Sequence, residues 1–138
     1  MVIPTCVNLQ LFHPPVITAE HDAEDFVLGH VGSVGTWYLF DEALRTFIAL
    51  LKFKPYARLL IINRNEHDFI RARMAAWGVD TSKVELKSAA HHEVVQAIHR
   101  IHAGVFYIKP VFSKRASAPT KFGEFLGCGV PCALAIAE

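Results

Sequence analysis

The feature that most constrains the fold of this chain is an alternation of short, continuous apolar runs with segments of helical periodicity. RLLIIN (residues 58–63) is apolar between its first and last residues, VFYI (105–108) is apolar along its length, and both have the length of strands. Between such runs, apolar residues recur three or four positions apart, as in residues 37–51. Strands that are apolar throughout are typical of parallel sheets covered by helices on both faces.

The pattern predicts five strands and four helices. The predicted strands are residues 26–31, 58–63, 83–87, 105–108 and 132–136, and the predicted helices run from Trp37 to about Phe53, from an N-cap at Asn65 to Trp77, from Val94 to Ile101, and onward from Pro119. Residues 83–87 alternate apolar and charged side chains, which predicts a sheet edge. We therefore predict a doubly wound parallel sheet in a Rossmann-like, three-layer α/β/α domain.

Length and composition set limits on the class of protein. With 138 residues and 52% apolar composition, the chain suits one domain, which we place at residues 26–138 after an irregular, linker-like segment at 1–25. No apolar stretch approaches the roughly 20 residues of a membrane span. The three cysteines form neither a CxxC pair nor a zinc pattern, which predicts free thiols and a reducing, cytoplasmic location.

A basic, acid-free window points to an anion site. Residues 94–123 contain no Asp or Glu, although the net charge of the whole chain is only +1. The cations of this window are Arg100, Lys109, Lys114, Arg115 and Lys121. The window ends where a helix is predicted to begin, and the free amides of a helix start favour phosphate. Because Glu124 follows directly, a nucleoside diphosphate whose ribose hydroxyls need an acceptor would fit.

The last helix is predicted to present two faces. Thr120, Lys121, Glu124 and Cys128 would share one face, opposite the apolar Phe122, Phe125 and Leu126. The plain alternative is a solvated face on which a Lys and a Glu happen to be neighbours. The basic loop that precedes this helix favours the functional interpretation.

The glycine turn after the first strand leaves two further interpretations open. Gly29, Gly32 and Gly35 recur every third residue, which would let a ligand approach the backbone at a helix start. A dinucleotide site prefers GxGxxG and an acid after the second strand, but Asn63 and Arg64 stand there. Arg64 could instead meet the 2′-phosphate of NADP. The remaining alternative is a tight turn without a ligand.

Other chemistries have weaker signals. Eight histidines invite a metal hypothesis, with His92 and His99 or His99 and His102 on one helix face, but HExxH spacing is absent and we predict no metal site. No GxSxG elbow is present. Trp37 and Tyr38 are predicted to be core rather than a stacking platform. Few basic residues and near-neutral charge disfavour nucleic-acid binding.

Three separated segments match the pattern of a known family. VIPTCVNLQLFHP (residues 2–14) looks like an interdomain linker written as IPNGVD followed by FxP. VLGHVGSVGTWY (27–38) is similar to a first strand and loop, and SAPTKFGEFLGCGVP (117–131) to a donor-binding helix and the strand after it. In these segments the chain resembles the C-terminal half of a GT-B-fold glycosyltransferase of the glycosyl transferase group 1 class.

The resemblance implies a site for a nucleotide-sugar donor. Glu124 matches the family glutamate that accepts from ribose hydroxyls, and Ser88 or Ala89 would lie near the base. The implied donor-binding residues are Gly32, Ser33, Lys114, Arg115, Ser117, Pro119, Thr120, Lys121 and Glu124. Ala116 stands where many members carry a sugar-binding glutamate. The Arg and Lys that usually follow the first-strand glycine are also absent, so Lys114, Arg115 or Lys121 is inferred to replace them.

The resemblance also implies an enzyme of glycoconjugate or polysaccharide biosynthesis. We expect the donor-binding half of a retaining glycosyltransferase, inactive alone, that uses no cofactor and no essential metal. Its expected partners are the nucleotide sugar and an N-terminal GT-B domain, with peripheral membrane association of the full-length enzyme. A non-catalytic Rossmann-like binding module and an NADP-binding oxidoreductase domain are the alternatives.

Overall fold

The computed structural model of the chain describes residues 6–16, 25–111 and 119–136. Within these ranges, parallel strands alternate with helices, as the apolar pattern predicts. The strands are β1 Val27–Val31, β2 Arg58–Ile62, β3 Val84–Lys87, β4 Ala103–Ile108 and β5 Cys132–Ile136. The helices are α1 Phe40–Phe53, α2 His67–Ala76, α3 His91–Ile98 and α4 Thr120–Gly127, with a short 3₁₀ turn at Thr81–Lys83.

The sheet has the topology of a doubly wound fold. Its strand order is β3-β2-β1-β4-β5 and every pairing is parallel. β3 lies at an edge, which confirms the prediction from its alternating pattern. The order reverses between β1 and β4, and this switch point is where open α/β sheets bind ligands.

Two apolar cores cover the two faces of the sheet. Leu59 and Ile61 of β2 pack with α1 and α2, whereas Leu60 and Ile62 pack with α3 and α4. Successive side chains of a strand point to opposite faces, so a continuous apolar run is needed to fill both layers. The predicted Rossmann-like, three-layer α/β/α fold is thereby confirmed.

At the switch point, β1 and β4 pair at small residues and separate beyond them. β1 is in register with β2 over all five of its residues but with β4 only at Leu28 and Gly29. A Cβ on Gly29 would overlap the side chain of Ile101, so only glycine allows the helical layer to approach this closely. Beyond Gly29 the two strands diverge, which leaves room at their carboxyl ends.

Several predicted boundaries differ from those observed. Asn65 is not the N-cap of α2: Glu66 holds that position, and the side chain of Asn63 accepts from the Glu66 amide (2.7 Å). α3 begins at His91 because the carboxylate of Glu93 accepts from the amide of Ala90 (2.8 Å), an N-terminal bond that apolar periodicity does not reveal.

The prediction that Trp37 opens α1 as a core residue is wrong. The chain first runs beside β4, where Tyr38 forms an isolated bridge with Ile108 and the Leu39 amide donates to the carbonyl of Tyr107. Trp37 is therefore 43% exposed, and α1 begins only at Phe40.

The segment before the sheet packs closely on the last helix. Residues 6–16 form turns, and Phe12 is buried in the core on the α3–α4 side of the sheet. A Cβ on Gly127 would lie 2.9 Å from the carbonyl oxygen of Phe12, so α4 and this segment are in direct contact. The domain boundary at residue 25 stays a prediction.

We predict that Gly29→Ala lowers the free energy of unfolding by about 1–3 kcal/mol, because the new methyl group overlaps Ile101 in a filled core. Urea denaturation followed by circular dichroism measures the change. The control is Lys52→Ala on the exposed side of α1, which should stay within about 0.5 kcal/mol of the parent. A Gly29→Ala variant as stable as the control would contradict the close packing.

Candidate functional site

The loop after β1 and the start of α4 meet at the switch point. Gly32 has a positive φ of 117°, and a Cβ there would lie 3.7 Å from Cε of Lys121. Eighty-nine positions separate these residues in sequence, and only the sheet topology brings them together. The aliphatic stem of Lys121 thus lies along the glycine backbone.

A half-buried ion pair lies on the first turns of α4. Nζ of Lys121 donates to Oε2 of Glu124 over 2.9 Å, and Glu124 is only 7% exposed. Phe125, which is fully buried against Phe106 of β4, fixes the rotation of the helix. The first amides of a helix lack acceptors in a preceding helical turn, so the start of α4 combines a lysine with the positive end of a helix.

A cleft of about 180 Å³ opens beside this pair. Its walls are the carboxyl ends of β1 and β2, the starts of α3 and α4, and the second residue after β3. The lining residues are Val31, Gly32, Ile62, Asn63, Arg64, Ala89, His91, Val94 and Lys121. Ala89 therefore lies in the cleft, whereas Ser88 is exposed and its hydroxyl faces the carbonyl of Arg64.

The predicted site residues fall into three groups. Gly32 and Lys121 line the cleft and Glu124 is paired with Lys121 behind it, with the N-cap Pro119 and the exposed Thr120 at the start of the same helix. Ser33 is exposed, and its hydroxyl donates to Glu66. The remaining three, Lys114, Arg115 and Ser117, lie outside the described residues, as does Ala116.

The basic window of the sequence does not form one patch. Arg100 pairs with Glu85 of β3, close to the beginnings of β1 and β2 and away from the switch point. Lys109 lies on the α1–α2 side of the sheet, in a second cleft of about 320 Å³ that also contains the Asp41–Arg73 ion pair. Of the cations in the described part of the window, Lys121 is the one that reaches the first cleft.

The predicted faces of α4 are partly wrong. Leu126, expected to be buried, is 51% exposed, and Cys128, expected on the polar face, is 4% exposed. α4 ends at Gly127, so Cys128 lies in the turn that leads to β5 and no longer follows helical spacing.

Glu66 is a functional-site candidate that the sequence analysis missed. Its Oε1 accepts from the Ser33 hydroxyl (2.8 Å), the Val34 amide (3.2 Å) and the Asn63 side-chain amide (3.0 Å). Partial burial acts to raise the pKa of Glu66, but these hydrogen bonds, together with the nearby backbone of Gly35, hold it below its usual range. The carboxylate of Glu66 thus occupies the loop after β1. The only sign of this in the sequence is that an acidic residue follows β2 closely.

His30 is a second missed residue, buried at the point where β1 and β4 diverge. Its Nδ1 lies 3.1 Å from the carbonyl oxygen of Val105 and its Nε2 lies 3.1 Å from that of Ser33. The ring therefore bridges the gap between the strands and supports the turn below the cleft. Burial lowers the pKa of His30, although both carbonyls act in the opposite direction.

The described residues contain no group of three or more His, Cys, Asp or Glu side chains that could hold a metal ion. His99 contacts the carbonyl of His13, and His102 accepts from the Val27 amide, so each is engaged with backbone. Among the helices in the described ranges, none combines the length and apolarity needed to cross a bilayer.

Two solved structures share this fold. One is an O-GlcNAc transferase mutant from Thermobaculum terrenum, with a TM-score of 0.58 and 20% identity over 87% of this chain and 23% of that one. The other is the C-terminal domain of a glycosyl transferase group 1 family protein from Francisella tularensis, with a TM-score of 0.50 and 19% identity over 72% of this chain and 57% of that one.

At these identities the likeness concerns the fold, and it confirms the predicted resemblance to a GT-B C-terminal domain at that level. The chain spans less than two thirds of the length of either structure. No protein-family model and no curated protein matches the sequence.

We predict that His30 makes stability fall with acid below about pH 6.5. Because burial lowers the pKa of His30, the unfolded chain binds a proton there that the folded chain resists. The free energy of unfolding should drop by at most about 1.4 kcal/mol per pH unit for this one group. Urea titrations between pH 7.5 and 5 measure the slope, which should shrink in His30→Gln; an unchanged slope would contradict the assignment.

We also predict that Cys128 and Cys132 resist alkylation in the folded protein. Burial raises the pKa of each thiol to about 11, so almost no thiolate exists at pH 7.5. Mass spectrometry after iodoacetamide treatment should show one adduct, on the exposed Cys6, and three adducts in denaturant. Cys6→Ser is the control and should show none when folded, whereas fast labelling of Cys128 would show that α4 opens readily.

Proposed function

We propose that this domain is the donor-binding half of a glycosyltransferase that takes a sugar from a nucleoside diphosphate sugar. The observation that carries the proposal is the meeting of Gly32, Lys121 and Glu124 beside a cleft at the switch point of a GT-B-like domain. A second, N-terminal GT-B domain would supply the acceptor side. The proposal includes retention of configuration at the transferred sugar, and family resemblance is the only argument for this part.

The charges of the cleft suit the two ends of such a donor. Lys121 and the first amides of α4 offer positive charge to the diphosphate, both before transfer and as negative charge builds on the leaving group. Glu124 offers carboxylate oxygens to ribose hydroxyls. Without ligand the two side chains pair with each other over 2.9 Å, so binding would require each of them to turn from its partner to its ligand group.

The walls of the cleft suit the base. Ala89 and Val94 are apolar, and the backbone after β3 borders the same space. A cleft of about 180 Å³ is smaller than most complete ligand pockets, which fits a half-site that another domain closes. No metal is needed in this scheme, because a lysine and helix amides offset the diphosphate charge.

The alternative of an NADP site is less well supported by the turn after β1. A dinucleotide pyrophosphate would need the amides between β1 and α1, but that of Val34 already donates to Glu66, whose carboxylate also lies against Gly35. Arg64, the residue predicted to bind the 2′-phosphate of NADP, is exposed at the edge of the cleft.

We predict that Glu124→Gln and Lys121→Met each weaken nucleoside diphosphate binding about 10–100-fold, the usual effect of losing a charged hydrogen bond. Calorimetric titration of the natural full-length protein with UDP and GDP measures the affinity, and thermal melting confirms that each variant folds.

The chain offers a matched control. Glu42 and Arg45 of α1 form another ion pair three residues apart, but both are exposed and lie on the opposite layer. Glu42→Gln and Arg45→Met should leave UDP and GDP affinity unchanged. Failure of the full-length protein to bind any nucleoside diphosphate would overturn the proposed function.

A further inference from the structure

The loop between β1 and α1 already holds an anion, and that anion belongs to the chain itself. The Glu66 carboxylate accepts from the Ser33 hydroxyl and from the amide of Val34, and it lies directly against Gly35. Ligand phosphates in doubly wound folds are held by the same kind of group, backbone N–H at the turn after the first strand.

The close fit of Glu66 depends on a glycine. A Cβ on Gly35 would lie 2.6 Å from Oε2 of Glu66, so any other residue at position 35 would push the carboxylate away. The third glycine of the turn is therefore explained by a side chain of the protein rather than by a bound ligand.

Asn63 locks Glu66 in this position. Its side-chain N–H₂ group donates both to the carbonyl of Gly32 and to the Glu66 carboxylate (3.0 Å each), while its side-chain oxygen accepts from the Glu66 amide (2.7 Å). Asn63 is 3% exposed, and His67 contacts its carbonyl oxygen at 2.7 Å. The end of β2 thus holds the turn after β1 through one buried amide.

The arrangement divides the turn into two parts with opposite electrostatic character. Gly32 faces the aliphatic stem of Lys121 and the cleft, whereas residues 33–35 face the negative charge of Glu66. An incoming phosphate is attracted to the first part and repelled from the second.

We propose that Glu66 is a specificity-determining residue: it occupies the Val34 amide and the space beside Gly35, excludes ligand phosphate from this part of the turn, and leaves the Gly32–Lys121 side as the place for a diphosphate. The identity of the ligand rests on the proposed function, but the exclusion of phosphate from the turn does not.

The test is amide-resolved NMR of the full-length protein, with inorganic phosphate and UDP as separate probes. In the parent protein, both probes should leave the amide signals of Val34 and Gly35 unshifted, while UDP shifts those of Gly32 and Lys121. In Glu66→Ala, phosphate should shift the Val34 and Gly35 signals saturably, with at least tenfold higher affinity than in the parent.

Asp68→Ala is the matched control. It removes a fully exposed carboxylate from the first turn of the same helix and should give no gain of phosphate binding at the turn. If Glu66→Ala does not fold, the isosteric Glu66→Gln removes the charge with a smaller change of shape.

Saturable shifts of the Val34 and Gly35 amide signals by phosphate in the parent protein would overturn the inference, because phosphate would then displace Glu66; this outcome can be seen without any variant. A gain of phosphate binding in Glu66→Ala without UDP binding to the parent would support the inference and overturn the proposed function instead.

Discussion

The pairing of β1 with a strand on each side is the constraint on which the rest of the structure depends. β1 follows β2 along its whole length but leaves β4 after Gly29, and the carboxyl ends of β1 and β4 therefore separate. His30 bridges the opening through two backbone carbonyls, and the turn that begins at Gly32 lies above it. Lys121 of α4 meets this turn at Gly32, and the cleft beside them is lined from the ends of β1 and β2 and the starts of α3 and α4.

Two ion pairs with the same sequence spacing show how burial changes the electrostatic effect of a Lys or Arg paired with a Glu. Glu42 and Arg45 lie on the surface of α1, where water and salt screen the charges and the pair contributes little to stability. Lys121 and Glu124 are largely withdrawn from water at the switch point, where their charges act more strongly on a ligand. Position in the fold, not the residue types, distinguishes a candidate site from ordinary surface.

Most of the fold could be predicted because burial on two faces demands continuous apolar runs, and these are visible in β2 and β4. The edge position of β3 was likewise visible in the alternation of Val84 and Leu86 with charged neighbours. The errors occurred where local hydrogen bonds override periodicity. Asn63 caps Glu66 from outside α2, and the bridge at Tyr38 delays α1 and exposes Trp37.

The sequence by itself determined the layers of the domain and the chemical character of α4, because apolar spacing and a Lys–Glu pair near a proline depend only on neighbours along the chain. Tertiary structure alone decided which charges act together. It placed Arg100 with Glu85 far from the switch point and brought Lys121 against Gly32. It also inserted Glu66 into the turn after β1, because strands that are distant in sequence become neighbours only when the sheet forms.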